Sequence, residues 1–233
     1  MRNERGRLRK KQAVVLLSGG LDSATALYYV KRQGFVCRCL IFDYGQRHHR
    51  EIEAAKRIAR AARCSWDMVR FALPWKGSSL LDRGRKLPVA ALSGGRRVSG
   101  EIPDTYVPGR NIIFLSFALS FAESIGADIL CIGAHAQDYS GYPDCRPEFY
   151  RAFSKVILTG TKAGVEKKGI KVTTPLLNKS KAQIIRMGKE LGVPFGLTWS
   201  CYRGGKKPCG VCESCYFRKK GFQEAGLKDS GAK

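Results

Sequence analysis

The sequence has no long apolar run, little proline, only three histidines and few acidic side chains. Each shortage removes a class of protein. The longest nearly apolar stretch, Ile112 to Ala122, is about half of what a membrane-spanning helix needs. Ala13 to Leu17 supplies an apolar segment too short for an export signal, which takes roughly 7–15 residues and a small-residue cleavage site. A soluble, cytoplasmic protein with no membrane partner is the expectation. Nine Pro and 26 Gly in 233 residues, at 44% apolar and 26% charged, exclude collagen, coiled coil and disorder as the main architecture. No internal repeat or low-complexity tract occurs.

Acidic residues number 19 against 42 Lys plus Arg, a net charge of +23. A field of that sign attracts nucleic acid, anionic membrane or polyphosphate ligands, but does not define a fold. The charge is spread over Arg2 to Lys11, Arg47 to Arg63, Arg83 to Arg97 and Lys206 to Lys220. Aromatic residues do not alternate with basic ones as a single-strand stacking platform requires. A solvated basic surface is favoured, and nucleic acid stays open but not favoured as a partner.

What is present is a rhythm of short apolar runs and amphipathic segments. Ala13 to Leu17 predicts a strand buried on both faces, and Leu21 to Arg32 a helix that Gly34 follows. Val36 to Phe42 predicts a second strand, Glu51 to Ala62 a helix, and Met68 to Leu73 a third strand. Strands separated by helices of this length imply βαβ units and a parallel sheet. The stretch 74–108 breaks the rhythm as a long loop of the kind that serves as a lid or mobile segment. Asn111 to Ser124 then predicts a helix apolar nearly all round, hence buried, and Ile129 to Gly133 another buried strand. Phe149 to Lys162 predicts a helix and Val172 to Thr174 a last strand. Ser180 and Gln183 form a capping-box pair opening a helix to Leu191. From about residue 199 the composition changes to Cys, Gly and Lys. The expected division is an α/β domain over 1–198 and a small metal-binding unit over 199–233.

Between the first strand and helix lies Ser18-Gly19-Gly20-Leu21-Asp22-Ser23. Glycines there let backbone N–H groups close around an anion, and the helix N-terminus adds a favourable dipole. Ser18 and Ser23 add hydroxyl donors, and Asp22 suits a magnesium ion bridging phosphates. Neither GxGxxG nor GxxxxGK[ST] is present at this loop, and an ordinary glycine turn is the alternative. Near the carboxyl terminus, Cys201, Cys209, Cys212 and Cys215 fall within a short segment rich in Gly and Pro. Four thiolates satisfy a structural Zn2+ and leave no open position, whereas a redox CxxC would leave two cysteines unexplained. Cys37, Cys39, Cys64, Cys131 and Cys145 are scattered, and core packing is their default reading.

The glycine loop resembles that of the N-type ATP pyrophosphatases. The resemblance implies a five-stranded parallel sheet flanked by helices, of adenine-nucleotide α-hydrolase type, and ATP cleavage with AMP transferred to a substrate oxygen. Tyr44-Gly45-Gln46-Arg47-His48, Pro108-Gly109-Arg110-Asn111, Ser140-Gly141-Tyr142-Pro143-Asp144-Cys145-Arg146-Pro147-Glu148-Phe149 and Thr198-Trp199-Ser200-Cys201-Tyr202 narrow it further. Together with the cysteine spacing they resemble the 7-cyano-7-deazaguanine synthase family of the queuosine pathway, from about Ala13 to Gly226. The extended basic amino terminus and the basic 83–97 stretch are no part of that motif set.

The resemblance implies a ligase that uses ATP with Mg2+ to turn 7-carboxy-7-deazaguanine and ammonia into the nitrile, through an adenylate and an amide. It also suggests a homodimer. By the same match, Ser18, Gly19, Gly20, Leu21, Asp22 and Ser23 are expected to bind pyrophosphate. Arg47, His48 and Arg110 are expected to support phosphate or adenylate, with a loop-bracing salt bridge as the alternative. Tyr142, Asp144, Arg146 and Glu148 are the candidates for holding the deazaguanine, Asp144 being the sharpest choice and loop bracing its rival. Lys179 and Lys181 could reach phosphate or stay in solvent, and Cys145 reads as a pocket residue. Rival readings are a relative that stops at the amide or conjugates the deazaguanine to another amine, a tRNA-modifying pyrophosphatase, and a zinc-knuckle binding module.

Overall fold

The computed structural model describes residues 9–47, 49–82, 84–89, 102–135 and 141–231. His48 and most of the basic 83–97 stretch lie outside the described residues. Five strands form one parallel sheet: β1 (Gln12–Leu16), β2 (Val36–Asp43), β3 (Ser65–Arg70), β4 (Ile129–Cys131) and β5 (Lys171–Thr173), in the order β3-β2-β1-β4-β5. The helices are α1 (Leu21–Arg32), α2 (Arg50–Ala61), α3 (Arg110–Ser124), α4 (Pro147–Gly160), α5 (Lys162–Val165), α6 (Lys181–Glu190) and α7 (Glu213–Ala225).

β1 sits at the centre, and Ala13, Val14 and Val15 are fully buried. Its alternating side chains divide between two cores, as a central parallel strand requires. Ala13 and Val15 pack with Leu27 of α1, Ile58 of α2, Ile184 of α6 and Phe222 of α7. Val14 and Leu16 pack on the other face with Leu115 of α3 and Phe153 and Ile157 of α4. Cys37, Cys39 and Cys131 are buried in this packing, as core residues.

Two sequence expectations shift. β3 begins earlier than Met68, because Ser65 to Arg70 is the segment in register with Arg38 to Asp43, while Phe71 and Leu73 run past the strand into the α3-side core. α3 is not buried all round: Asn111, Leu115, Ala118, Leu119 and Ala122 face inward, while Ile112 and Phe117 are 48% and 43% exposed. The carboxyl-terminal segment is tied closely to the α/β domain. Phe222 meets Phe195 edge to face at 5.3 Å, and the Arg218 guanidinium donates to the Phe195 carbonyl and Thr198 hydroxyl at 3.1 and 2.8 Å. The capping box at Ser180 and Gln183 forms as expected, with both reciprocal hydrogen bonds.

Candidate nucleotide site and cysteine centre

A cavity of about 280 Å3 opens at the carboxyl ends of β1, β2 and β4, where an open parallel sheet collects its ligands. Its floor is Leu16, Ile41, Phe42 and Ile132. One end is the glycine loop. Gly19 takes a left-handed φ of 83°, and any side chain there would collide with the Glu51 carbonyl and the Ala55 amide of α2. The Ser23 hydroxyl donates to the Gly20 carbonyl at 3.1 Å and accepts the Ser18 amide at 3.2 Å. These bonds keep the turn tight and aim the start of α1 at the cavity, a favourable place for an anion.

Asp22 does not stand alone. Lys181, at the first position of α6, donates to both its carboxylate oxygens at 2.8 Å and contacts His135 Nε2 at 2.8 Å. Burial pushes the Asp22 carboxyl up, but Lys181 and His135 more than offset this and hold it well below the usual carboxylate range. Lys181 therefore belongs to the site, and a cation approaching Asp22 must share its carboxylate with that ammonium. The trio borders a side chamber of about 110 Å3 that also meets Tyr202, Glu213 and Arg218.

The other end is assembled from distant segments. Arg110 opens α3 and is hydrogen-bonded to the buried Tyr44 phenol, with Tyr142 and Cys145 close by. Thr105, from the 74–108 loop, shares a 2.6 Å hydrogen bond with the Tyr142 hydroxyl. Arg47 lines the cavity and braces that loop, its guanidinium donating to the carbonyls of Ser79 at 3.2 Å and Arg85 at 3.0 Å. Glu51, on the first turn of α2, also faces the cavity. Burial raises its carboxyl to about 7, against the pull of Arg110 and of a hydrogen bond from Gln46.

Among the expected site residues, Ser18, Gly20, Leu21, Asp22, Ser23, Arg47, Arg110 and Tyr142 meet around this one cavity, and Gly19 shapes its loop. His48 lies outside the described residues. Three residues of the expected substrate segment are not among those lining this cavity. Asp144 is buried beneath the α3 N-terminus, where its Oδ2 accepts the Asn111 amide at 2.9 Å and satisfies a helix-end donor. Asn111 answers by donating from its side chain to the Asp144 carbonyl at 3.3 Å and the Cys145 sulfur at 3.0 Å. Glu148 is exposed and pairs with Arg151 one turn along α4 at 2.8 Å, and Arg146 is also exposed. Once Pro147 starts a helix, those two side chains are carried outward, whereas Cys145 stays on the wall. Sequence reasoning passed over Glu51 and His135. The signal for Glu51 was available: an acidic residue on the first turn of a helix that packs on the glycine loop.

The cysteine centre adjoins the glycine loop. The sulfurs of Cys201, Cys209, Cys212 and Cys215 all lie within 4.8 Å of one another, a set able to hold a metal ion. Backbone amides of Arg203 and Cys209 point at the Cys201 sulfur, at 3.4 and 3.3 Å, and that of Cys212 at the Cys209 sulfur, at 3.4 Å. Such N–H donors stabilise thiolates, so the donor set fits a thiophilic metal. Trp199 links this centre to the glycine loop: its amide donates to the Gly19 carbonyl at 2.9 Å, and its indole donates to the Cys201 carbonyl at 2.9 Å.

A glycine turn at the end of a central strand, with a cavity at the carboxyl edge of a five-stranded parallel sheet, defines the class of protein as a doubly wound α/β fold. Two solved structures of that fold are similar to the chain. An NMN synthetase from Francisella tularensis matches with a TM-score of 0.50 at 13% identity, over 94% of this chain and 88% of that one. A 4-thiouridine synthetase, solved with RNA and bound ATP, matches at 0.50 and 19%, over 93% of this chain and 50% of that one. The family model "Queuosine biosynthesis protein QueC" matches residues 12–226, and the chain belongs to that family. The 7-cyano-7-deazaguanine synthase of Thermoplasma acidophilum is 49% identical, covering 95% of this chain and 92% of its own. That of Nostoc punctiforme is 50% identical, over 94% and 97%. No helix among the described residues is long and apolar enough to cross a membrane.

Proposed function

We propose that the protein is a 7-cyano-7-deazaguanine synthase: an AMP-forming, carbon–nitrogen ligase that converts 7-carboxy-7-deazaguanine and ammonia to the nitrile. The observation that carries this reading is one cavity that joins a glycine loop suited to an anion to the half-buried Arg110, in a chain of this family. A carboxylate is a poor electrophile, because oxide is a poor leaving group. Transfer of AMP to the substrate carboxylate, with release of pyrophosphate, supplies a good one. Ammonia then displaces AMP to give the amide, and a second adenylation on the amide oxygen lets that oxygen leave as AMP when the nitrile forms. No protein nucleophile is required, and the chain's contribution is positioning and charge compensation.

In this reading the backbone of Gly19 and Gly20 with the Ser18 and Ser23 hydroxyls cradles the β- and γ-phosphates, and Lys181 compensates their charge. Asp22 and the phosphates would hold Mg2+, which supplies further charge compensation. Arg110 receives the substrate carboxylate or its adenylate, with Tyr142 beside it, and Arg47 holds the loop that closes the site. Asp144 serves through α3, by fixing the helix that carries Arg110. The cysteine centre would hold Zn2+ in a structural role, with residues 199–233 as a distinct unit. A homodimer and a cytoplasmic location complete the reading, the exposed Ile112 and Phe117 on α3 suiting a face between two copies.

Mass spectrometry after incubation with ATP, magnesium, ammonium and 7-carboxy-7-deazaguanine tests the proposal. Nitrile with two AMP per product supports it. Amide as the final product, or tight tRNA binding without nitrile formation, overturns it.

A further inference from the structure

Ammonia is almost wholly ammonium at neutral pH, and ammonium cannot attack a carbonyl. Two carboxylates line the cavity among its described residues, Asp22 and Glu51. Asp22 already carries Lys181 on both oxygens. Glu51 is held differently. Its backbone is pressed against Gly19, so it stands beside the phosphate loop. Its side chain accepts a hydrogen bond from Gln46, which is itself fixed by accepting the Tyr44 amide at 2.8 Å and donating to the Phe42 carbonyl at 3.2 Å. Arg110 and the Tyr44 phenol are the ionisable groups that face it, from the start of α3 and the end of β2. Glu51 thus stands between the loop that takes the phosphates and the guanidinium that suits the reacting carboxylate.

We propose that Glu51 captures ammonium in the cavity and removes its proton, delivering ammonia to the acyl-adenylate. This deepens the proposed function and rests on it. The step balances: ammonium passes one proton to the Glu51 carboxylate, and the nitrogen lone pair forms the C–N bond. The bond from the carbonyl carbon to the AMP oxygen breaks, AMP leaves with that electron pair, and the new nitrogen loses a second proton to water. Glu51 returns its proton to solvent before the next cycle. A carboxyl whose acidity lies near neutrality suits the task, being deprotonated often enough to act and basic enough to take the proton. The later conversion of amide to nitrile consumes no ammonia; its two protons leave a nitrogen that adenylation of the amide oxygen has made acidic, so water can accept them and no base is needed to deprotonate ammonium.

That asymmetry supplies the test. Wild type and Glu51→Gln are compared with two substrates, 7-carboxy-7-deazaguanine with ATP and ammonium, and the synthetic 7-amido compound with ATP alone. The expected result is a fall of about 100-fold or more in amide formation from the acid, the usual size of a general-base contribution, with amide-to-nitrile turnover within about threefold of wild type. Hydroxylamine, which is neutral at pH 7, should restore acyl transfer in Glu51→Gln by forming the hydroxamate. Equal loss with both substrates, or no rescue by hydroxylamine, would overturn the proposal. Thermal melting and ATP binding by the variant exclude misfolding as the cause. Wild type that turns over neither substrate would instead count against the proposed function.

Discussion

The two ends of the cavity are built in opposite ways. The glycine-loop end is local: Ser18 to Ser23 are contiguous, and their geometry follows from a strand, two glycines and a helix start. The far end is convergent. Tyr44, Thr105, Arg110 and Tyr142 come from the end of β2, the 74–108 loop, α3 and the segment before α4, with Glu51 of α2 between the two ends. A local site can be read from residue types and spacing, since the chain carries its own geometry. A convergent site depends on which side of each element meets the cavity, and a shift of one or two residues turns a side chain away. Glu148 and Arg146 illustrate that outcome, and Asp144 shows a third one, a carboxylate spent on holding another helix.

Breaking the local end should cost most. Asp22→Ala removes the partner of Lys181 and the candidate magnesium ligand, and AMP formation should fall roughly 10³-fold or more, the scale of losing a preorganised charge contact. AMP release, measured with circular dichroism to confirm the fold, checks this. Near-wild-type turnover would remove Asp22 from the chemistry.

The next effect asks whether the local end is really self-sufficient. Trp199 ties Gly19 to the cysteine loop, and helix α7 packs Gly221 directly against Lys181, with no room there for a side chain. Cys212→Ser should therefore release bound metal and weaken ATP binding about tenfold, the lower end of what loss of outer support costs a site. Elemental analysis should give one zinc per wild-type chain. Calorimetry with ATP reads the second effect, and unchanged affinity in a metal-free variant would show that the phosphate loop stands without this support.

Asp144→Asn sharpens the convergent end. The charged cap on α3 is worth about 1–2 kcal/mol, so the melting temperature should drop by a few degrees. All ligands should weaken together, because Arg110 rides on the same helix. Selective loss of deazaguanine affinity with normal stability and ATP binding would return Asp144 to the cavity wall.

A smaller effect concerns pH. Folding raises the Glu51 carboxyl from 4.5 to about 7, so the folded state binds a proton more tightly than the unfolded chain. Its contribution is fully present below pH 4.5 and declines as pH rises to about 7. Denaturant titrations of wild type and Glu51→Gln over that window should converge at the acid end and separate toward neutrality, with wild type losing ground. Parallel curves would mean that Glu51 is not buried in this way. Smallest of all, Glu148→Gln should leave turnover unchanged in a steady-state assay, as an exposed ion pair within one helix contributes little. A large loss would restore Glu148 to the site.

The sequence by itself determined the α/β alternation, the glycine loop, the cysteine quartet and the capping box at Ser180, because each is decided by neighbours within a few residues. The family resemblance added the five-strand parallel sheet. Tertiary structure alone decided the strand order, the exposed face of α3, the packing of α7 onto α6 and the membership of the far end of the cavity. Composition cannot distinguish an inward from an outward carboxylate: Asp144 and Glu148 lie four residues apart in one motif, yet one caps the start of α3 and the other faces water. The difference is the helix that begins at Pro147, whose direction is set by packing of Tyr150, Phe153 and Ile157 against the sheet. Burial of those three side chains places the backbone, and the polar residues between them go where that leaves them.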